Sequence, residues 1–185
     1  MSDDQAFIAQ KKPWWYMSAR QIGVAAAFSG MALAITLTHI VVPIPGLPGG
    51  GGMDPSEIIR AIGAALGGPS VGLVIGLFGS VSSISNVVTH IPAVVFIGWI
   101  YKRIYSYPKT KRMIYWLISI AVYYYIGLVP LIALTTSIQY FKGLDMFVPM
   151  IVAVAPGISP EFVVTAIVTT IIWGALPEKY TKPLW

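Results

Sequence analysis

The side chains in this sequence that could do chemistry are few, and most fall near the ends of apolar stretches. Asp54-Pro55-Ser56-Glu57 sets two carboxylates three residues apart, with Arg60 one turn further on. An acidic residue before proline and a glutamate three positions later have the spacing of a helix-capping box. Asp54 is therefore expected to cap a helix. Glu57 has three openings: it completes the box, it pairs with Arg60 at the i,i+3 spacing, or it holds a ligand. Ser159-Pro160-Glu161 repeats the motif further along, and acidic groups beside a membrane span are costly enough to point to a function. His39 and His90 are the only histidines and there is no cysteine, a set too small for a metal site, so none is expected. Asn86, Thr89 and His90 together offer donors and acceptors to a small polar molecule, and Gln139 adds an amide. The run Tyr123-Tyr124-Tyr125 covers most of a helical turn. At least one ring, with Tyr124 as the candidate, faces the interior of a bundle and offers a stacking surface.

Nothing in the sequence has the spacing of a catalyst. The glycines Gly49 to Gly52 precede Met-Asp-Pro, where a phosphate-binding loop would require a lysine. There is no G-x-S-x-G and no H-E-x-x-H. No charged relay crosses the apolar stretches, and no repeat relates the two halves. The chain reads as a non-enzyme without a cofactor. Its candidate substrate contacts are Glu57, Asn86, His90, Tyr124, Gln139 and Glu161.

Helices in a bilayer must position these groups. Of the 185 residues, 56% are hydrophobic and 10% charged, and the mean hydropathy is +0.76. A soluble domain carries about 25% charged residues, so a soluble monomer is excluded, as is a disordered chain. The net charge of +5 could suggest nucleic acid, but the placement of the charges excludes that partner. Gln21 to Met53, Ala61 to Tyr101, Met113 to Phe141 and Phe162 to Pro177 are free of charge, and a helical span needs roughly 20 apolar residues. Within the second gap, Gly67-Gly68-Pro69-Ser70 and the stretch from Asn86 to Pro92 read as breaks. The expectation is an all-α integral membrane protein with a six-helix bundle at about 21–42, 55–66, 70–86, 92–105, 113–140 and 158–176. The second helix is short, rising about 18 Å, and the fifth carries Pro130 as a kink.

The basic residues, Arg60 and Lys142 apart, flank the first, fourth, fifth and sixth helices. They share the cytoplasmic side only if the first four helices make an even number of crossings. Both termini are then cytoplasmic, with residues 1–20 as an interfacial segment, 21–177 as the membrane domain and 178–185 as a tail. Trp14, Trp15 and Tyr16, and then Tyr101, Tyr105, Tyr107, Tyr115 and Trp116, are expected to anchor the inner interface.

Pro43–Met53, Asn86–Ile91 and Phe141–Ser159 are left on the outer side. In the first, three prolines precede a glycine run, a stiff half joined to a flexible one. Gly49, Gly50, Gly51, Gly52 and Met53 suit a hinged gate, or equally a tolerated surface loop. Ala26, Gly30 and Ala34 form a small-residue stripe on the first helix, and Gly72, Gly76 and Ser80 form another on the third. Such stripes let helices approach closely; both suit internal packing, and the first also suits a partner subunit.

The order of these parts resembles the substrate-binding S components of energy-coupling factor (ECF) transporters over nearly the whole chain. The small-residue first helix, the Pro/Gly outer loop, the short second helix and Gly67-Gly68-Pro69-Ser70 before a glycine-striped third helix carry the resemblance. The basic loop after the fourth helix and the terminal Thr165–Pro177 segment complete it. The resemblance implies a plasma-membrane subunit that captures a vitamin or similar micronutrient at the outer face. It implies a loop that closes over the ligand, here Gly46–Met53, and further contacts at His90, Gln139 and Glu161. Ala26, Gly30 and Ala34 would meet a membrane-embedded coupling subunit, and separate cytoplasmic ATPases would supply the energy. The metal-binding members begin Met-His, whereas this chain begins Met1-Ser2, so nickel and cobalt are not expected. A non-catalytic scaffold subunit of a larger membrane complex is the competing reading.

Overall fold

The computed structural model describes residues 13, 15–40, 42–43, 52–141 and 143–185. Trp14 and the glycines Gly49, Gly50 and Gly51 lie outside the described residues. Helix α1 (Ala19–Thr38) opens on a reciprocal cap in which Ser18 Oγ accepts from the Gln21 amide and Gln21 Oε1 accepts from the Ser18 amide at 2.9 Å. It closes at His39, which adopts a left-handed conformation with φ 50°. Two short strands, β1 (Val42–Pro43) and β2 (Gly52–Met53), then pair antiparallel with Val42 opposite Met53.

Helix α2 (Ser56–Gly67) turns directly into α3 (Pro69–Phe78) through Gly68. Gly68 has φ +87°, and a Cβ there would lie 2.5 Å from the Trp185 ring, so glycine is required twice over. Helix α4 (Ile84–Tyr105) follows, capped by Ser83, whose Oγ accepts from the Asn86 amide at 3.0 Å. This corrects the expected break at Asn86–Pro92. The chain breaks at Gly79–Ser83, the third helix ends at Phe78 instead of continuing to residue 86, and Pro92 sits inside α4. The serines explain the shift, because their hydroxyls compete for backbone groups and favour a helix start. Pro92 costs α4 one amide donor, which an apolar helix embedded in a bundle tolerates.

Helix α5 (Lys109–Val122) runs through a π-helical segment (Tyr123–Leu128) into α6 (Val129–Phe141) as one rod. The wider turn lies just before Pro130, which has no amide to give the Ile126 carbonyl and whose ring would crowd it. Helix α7 (Phe147–Ala175) contains both Pro156 and Pro160. It begins eleven residues earlier than the expected start at 158, so most of the expected outer segment Phe141–Ser159 is helix. A single turn, α8 (Glu178–Thr181), ends the described elements.

Contacts at the ends of the rods fix their directions. At one end, Gln21 Nε2 donates to the Gly67 carbonyl at 2.8 Å, Lys109 Nζ to the Gly174 carbonyl at 2.8 Å, and the Leu184 amide to the Leu66 carbonyl at 2.9 Å. At the other end, Thr36 Oγ1 donates to the Gly79 carbonyl at 2.8 Å. The rods α1, α2, α3, α4, α5–α6 and α7 therefore alternate in direction. Arg20, Lys102, Arg103, Lys109, Lys111, Arg112, Lys179 and Lys182 belong to the first end, and Asp54 and Glu57 to the second.

Among the described residues, four helices are long and apolar enough to cross a membrane: 19–38, 84–105, 109–140 and 147–175. The chain is thus a predominantly helical membrane protein. Helices α2 and α3, of 12 and 10 residues, rise only about 18 and 15 Å. Helix α2 occupies the centre. Ala61, Ala64 and Ala65 are buried with Glu57 and Arg60, and α1, α3, α4 and α7 surround it. Its small side chains let four rods close around one.

Two expected interfacial aromatics belong to the core instead. Tyr101 and Trp116 are each 1% exposed; Tyr101 stacks on Trp173 at 5.0 Å, and Trp116 Nε1 donates to Thr169 Oγ1 at 2.9 Å. Trp15, Tyr107 and Tyr115 remain exposed. The final residues pack on the bundle: Tyr101 Oη donates to the Thr181 carbonyl at 3.0 Å, and Lys102 Nζ lies 4.7 Å over the Trp185 ring.

Candidate functional site

The site is built from the first turn of α2. Asp54 Oδ1 accepts from the Ser56 amide at 2.8 Å, and the Asp54 carbonyl accepts from the Glu57 amide at 3.2 Å, so Asp54 serves the helix start as expected. Glu57 does not complete the box. Its side chain turns into the bundle, where it is 1% exposed beside Arg60 at 2%.

Three rods meet at that carboxylate. Glu57 Oε1 accepts from Arg60 Nη1 and lies 3.0 Å from His90 Nε2 on α4, and Oε2 accepts from Tyr123 Oη in the π segment. Arg60 Nη2 donates to the Gly79 carbonyl at the end of α3. The guanidinium can lie flat there because residue 79 has no side chain: a Cβ would fall 2.8 Å from Arg60 Nε. Asp54 Oδ2 stands 3.9 Å from Arg60 Nη2, an ion-pair distance too long for a hydrogen bond. On the far side of the imidazole, His90 Nδ1 lies 2.8 Å from the Asn86 carbonyl. Thr89 Oγ1 lies 3.0 Å from the same nitrogen. A buried charge pair is tolerable when its remaining hydrogen-bonding positions are filled; here Arg60 Nε is left buried without a partner among the described residues.

Above this network is a cavity of about 160 Å³ walled by Thr36 and His39 of α1, Asp54, Arg60, Ser82, and Asn86 and His90 of α4. It opens at the end of the bundle remote from the basic residues. Of the candidate contacts, Asn86 and His90 line it, and Glu57 lies directly behind it.

Tyr124 and Glu161 form an adjoining pair. Tyr124 Oη donates to Glu161 Oε1 at 3.3 Å and lies 2.9 Å from Thr165 Oγ1. Tyr125 Oη lies 2.8 Å from Ser159 Oγ. The three tyrosines thus join the π segment to α2 and α7. Their rings sit edge-on: Tyr123 and Tyr124 are 5.1 Å apart, and Tyr124 and Phe162 are 5.8 Å apart. Gln139 stands apart from these residues, in a groove between α4 and α6 with Ser85 and Thr135. Met53 is buried at 5%, and β2, which includes Gly52, rests against α7; Gly49, Gly50 and Gly51 of the proposed gate are outside the described residues.

The stripe on α1 faces outward. Ala26, Gly30 and Ala34 are exposed, a Cβ on Gly30 would meet nothing within 4 Å, and Ala25, Ser29 and Ala32 form the buried face instead. Ala26, Gly30 and Leu33 line an apolar groove of about 440 Å³ with Val74 and Phe78 of α3. The α3 stripe is internal: a Cβ on Gly72 would lie 2.9 Å from the Val94 carbonyl, and one on Gly76 would lie 3.2 Å from Ile91 Cα.

Thr36, Ser82 and the Gly79 carbonyl escaped the sequence reading because common residues gain a role here only through tertiary placement. Arg60 could have been ranked higher, since it is the one lysine or arginine between Arg20 and Lys102. Among the described residues, no three His, Asp or Glu side chains are grouped to hold a metal ion. Comparison with family models, curated proteins and solved structures finds no match for this chain.

Proposed function

We propose that the chain is the substrate-binding subunit of an ECF-type uptake system in the plasma membrane. It captures a vitamin or similar micronutrient at the outer face and relies on a membrane coupling subunit and cytoplasmic ATPases for energy. In this reading the rods cross the bilayer six times, both termini are cytoplasmic, and β2 with the glycine run before it closes over the bound solute.

The observation that carries the reading is the polar cavity at the end remote from the basic residues, seated on a buried charged network drawn from α2, α3, α4 and the π segment. Capture sites are concave and carry a few fixed polar groups. The open small-residue groove on α1 supports a partner that packs closely in the membrane. A scaffold subunit would use the same groove but has no need of the cavity.

Purification from the native membrane tests the proposal. ATPase subunits and a small organic molecule are expected to copurify, and adding that molecule at 100 times its Kd stabilises the fold by about 2.7 kcal/mol. Partners without any retained or stabilising solute would favour the scaffold and overturn capture.

A further inference from the structure

We infer that the basic end of the bundle, remote from the capture cavity, binds one small monatomic anion such as chloride. A narrow cavity of about 20 Å³ lies there. Its wall includes Tyr101 of α4, Lys109, Arg112 and Trp116 of α5, Trp173 of α7 and Glu178 of α8. A single water needs about 10–15 Å³ on this measure. The space therefore suits one ion or one water and excludes phosphate, sulfate or an organic carboxylate.

The hydrogen bonds of these residues leave two donors over. Tyr101 Oη donates to the Thr181 carbonyl at 3.0 Å, and Trp116 Nε1 donates to Thr169 Oγ1 at 2.9 Å. Arg112 Nη2 donates to Glu178 Oε1 at 2.8 Å, and Lys109 Nζ gives one proton to the Gly174 carbonyl at 2.8 Å. Arg112 Nε and Trp173 Nε1 are buried and have no acceptor among the described residues. A buried N–H without an acceptor is costly. Two of them, on side chains that wall one small cavity, call for one acceptor within it.

Charge favours an ion over a water. Lys109 and Arg112 bring two positive charges to the wall and Glu178 one negative charge. The Glu178 side chain is 69% exposed, so solvent screens its share. Lys109 Nζ keeps two further protons to give. Lys109 also opens α5, whose start has no side-chain cap and so adds the positive end of a helix. A water that accepts from both N–H groups must direct its own two protons into a wall of net positive charge. A monatomic anion only accepts.

Thermal unfolding of the detergent-solubilised chain tests the inference, with sodium chloride replaced stepwise by sodium gluconate at constant ionic strength. Gluconate is too large for the cavity. Chloride is expected to raise the unfolding temperature saturably, by about 5 °C or more at 100 times its Kd, and bromide to replace it. Trp173→Phe keeps an aromatic ring and removes one of the two N–H groups; Arg112→Lys keeps the charge and removes the other. Each is expected to raise the half-saturating chloride concentration about tenfold or more. The readout is the chloride dependence, so a general loss of stability in a variant does not imitate the result. Where one variant fails to fold, the other carries the test. Equal unfolding temperatures in the two salts mean a water only and overturn the inference. A chloride response that neither substitution changes places the ion elsewhere and overturns it as well.

Discussion

Glu57 holds three donors on two oxygens: a guanidinium, an imidazole and a phenol from three different rods. Removing its charge by Glu57→Gln leaves the Arg60 guanidinium buried without its nearest counterion, a loss of about 3–5 kcal/mol. Tyr123→Phe removes a single hydrogen bond to that carboxylate and is expected to cost about 1.5–3 kcal/mol. Equilibrium unfolding of the detergent-solubilised variants checks the ranking; equal losses would mean that the ion pair contributes little beyond the phenol. At this scale much of the site could be read from the sequence. Glu57 stood out because acidic groups are costly beside apolar spans, Asn86 and His90 stood out as donors and acceptors, and Arg60 entered only as a partner for Glu57. Gln139 stood out on the same grounds and lies in a different groove, because residue type says nothing about which rods meet. The Gly79 carbonyl belongs to the backbone and carries no sequence signal at all.

Among the helices, α2 was legible because a proline marks its start and a glycine pair its end, whereas α1 closes at His39, short of the expected end at 42, with no proline or glycine at that point. The boundary between α3 and α4 was not legible, since Pro92 looks like the stronger breaker. A proline removes one donor and still leaves a helix standing when its neighbours hold it, whereas consecutive serines after Gly79 give the backbone other partners. The two glycine stripes separate cleanly once their surroundings are known. Ala26→Leu with Gly30→Leu adds side chains into open space, so stability is expected to change by less than about 0.5 kcal/mol or to rise. Uptake in cells is expected to be lost while solute affinity stays. Gly72→Leu meets the Val94 carbonyl and is expected to cost about 1–3 kcal/mol or more through overpacking. Thermal unfolding of both variants decides the matter: a destabilised Gly30 variant would place that face inside the bundle.

For the molecule as a whole, the division of the charges was the most legible property, since the sequence pattern alone gathers the basic residues into clusters. The alternation of the rods places Arg20, Lys102 and Lys182 at one end and Asp54 at the other. The chain has no cysteine, which makes single-thiol labelling direct. Ser82→Cys, at the cavity mouth, is expected to react with an impermeant maleimide from outside intact cells. Lys182→Cys, in the basic end, is expected to react only after the membrane is opened. Reaction of both from the same side would remove the outer placement of the cavity.

The Gly79 carbonyl accepts from Thr36 of α1 and from Arg60 of α2 at once. A single oxygen therefore ties the rod with the open outer face to the guanidinium beneath the cavity. If solute entry shifts that guanidinium, Thr36 must find its bond elsewhere or α1 must follow. Reciprocity then sets a quantitative demand: whatever factor the solute imposes on docking at α1, the docked neighbour must impose on solute retention. Thr36→Val would cut the tether and bring both factors towards unity together.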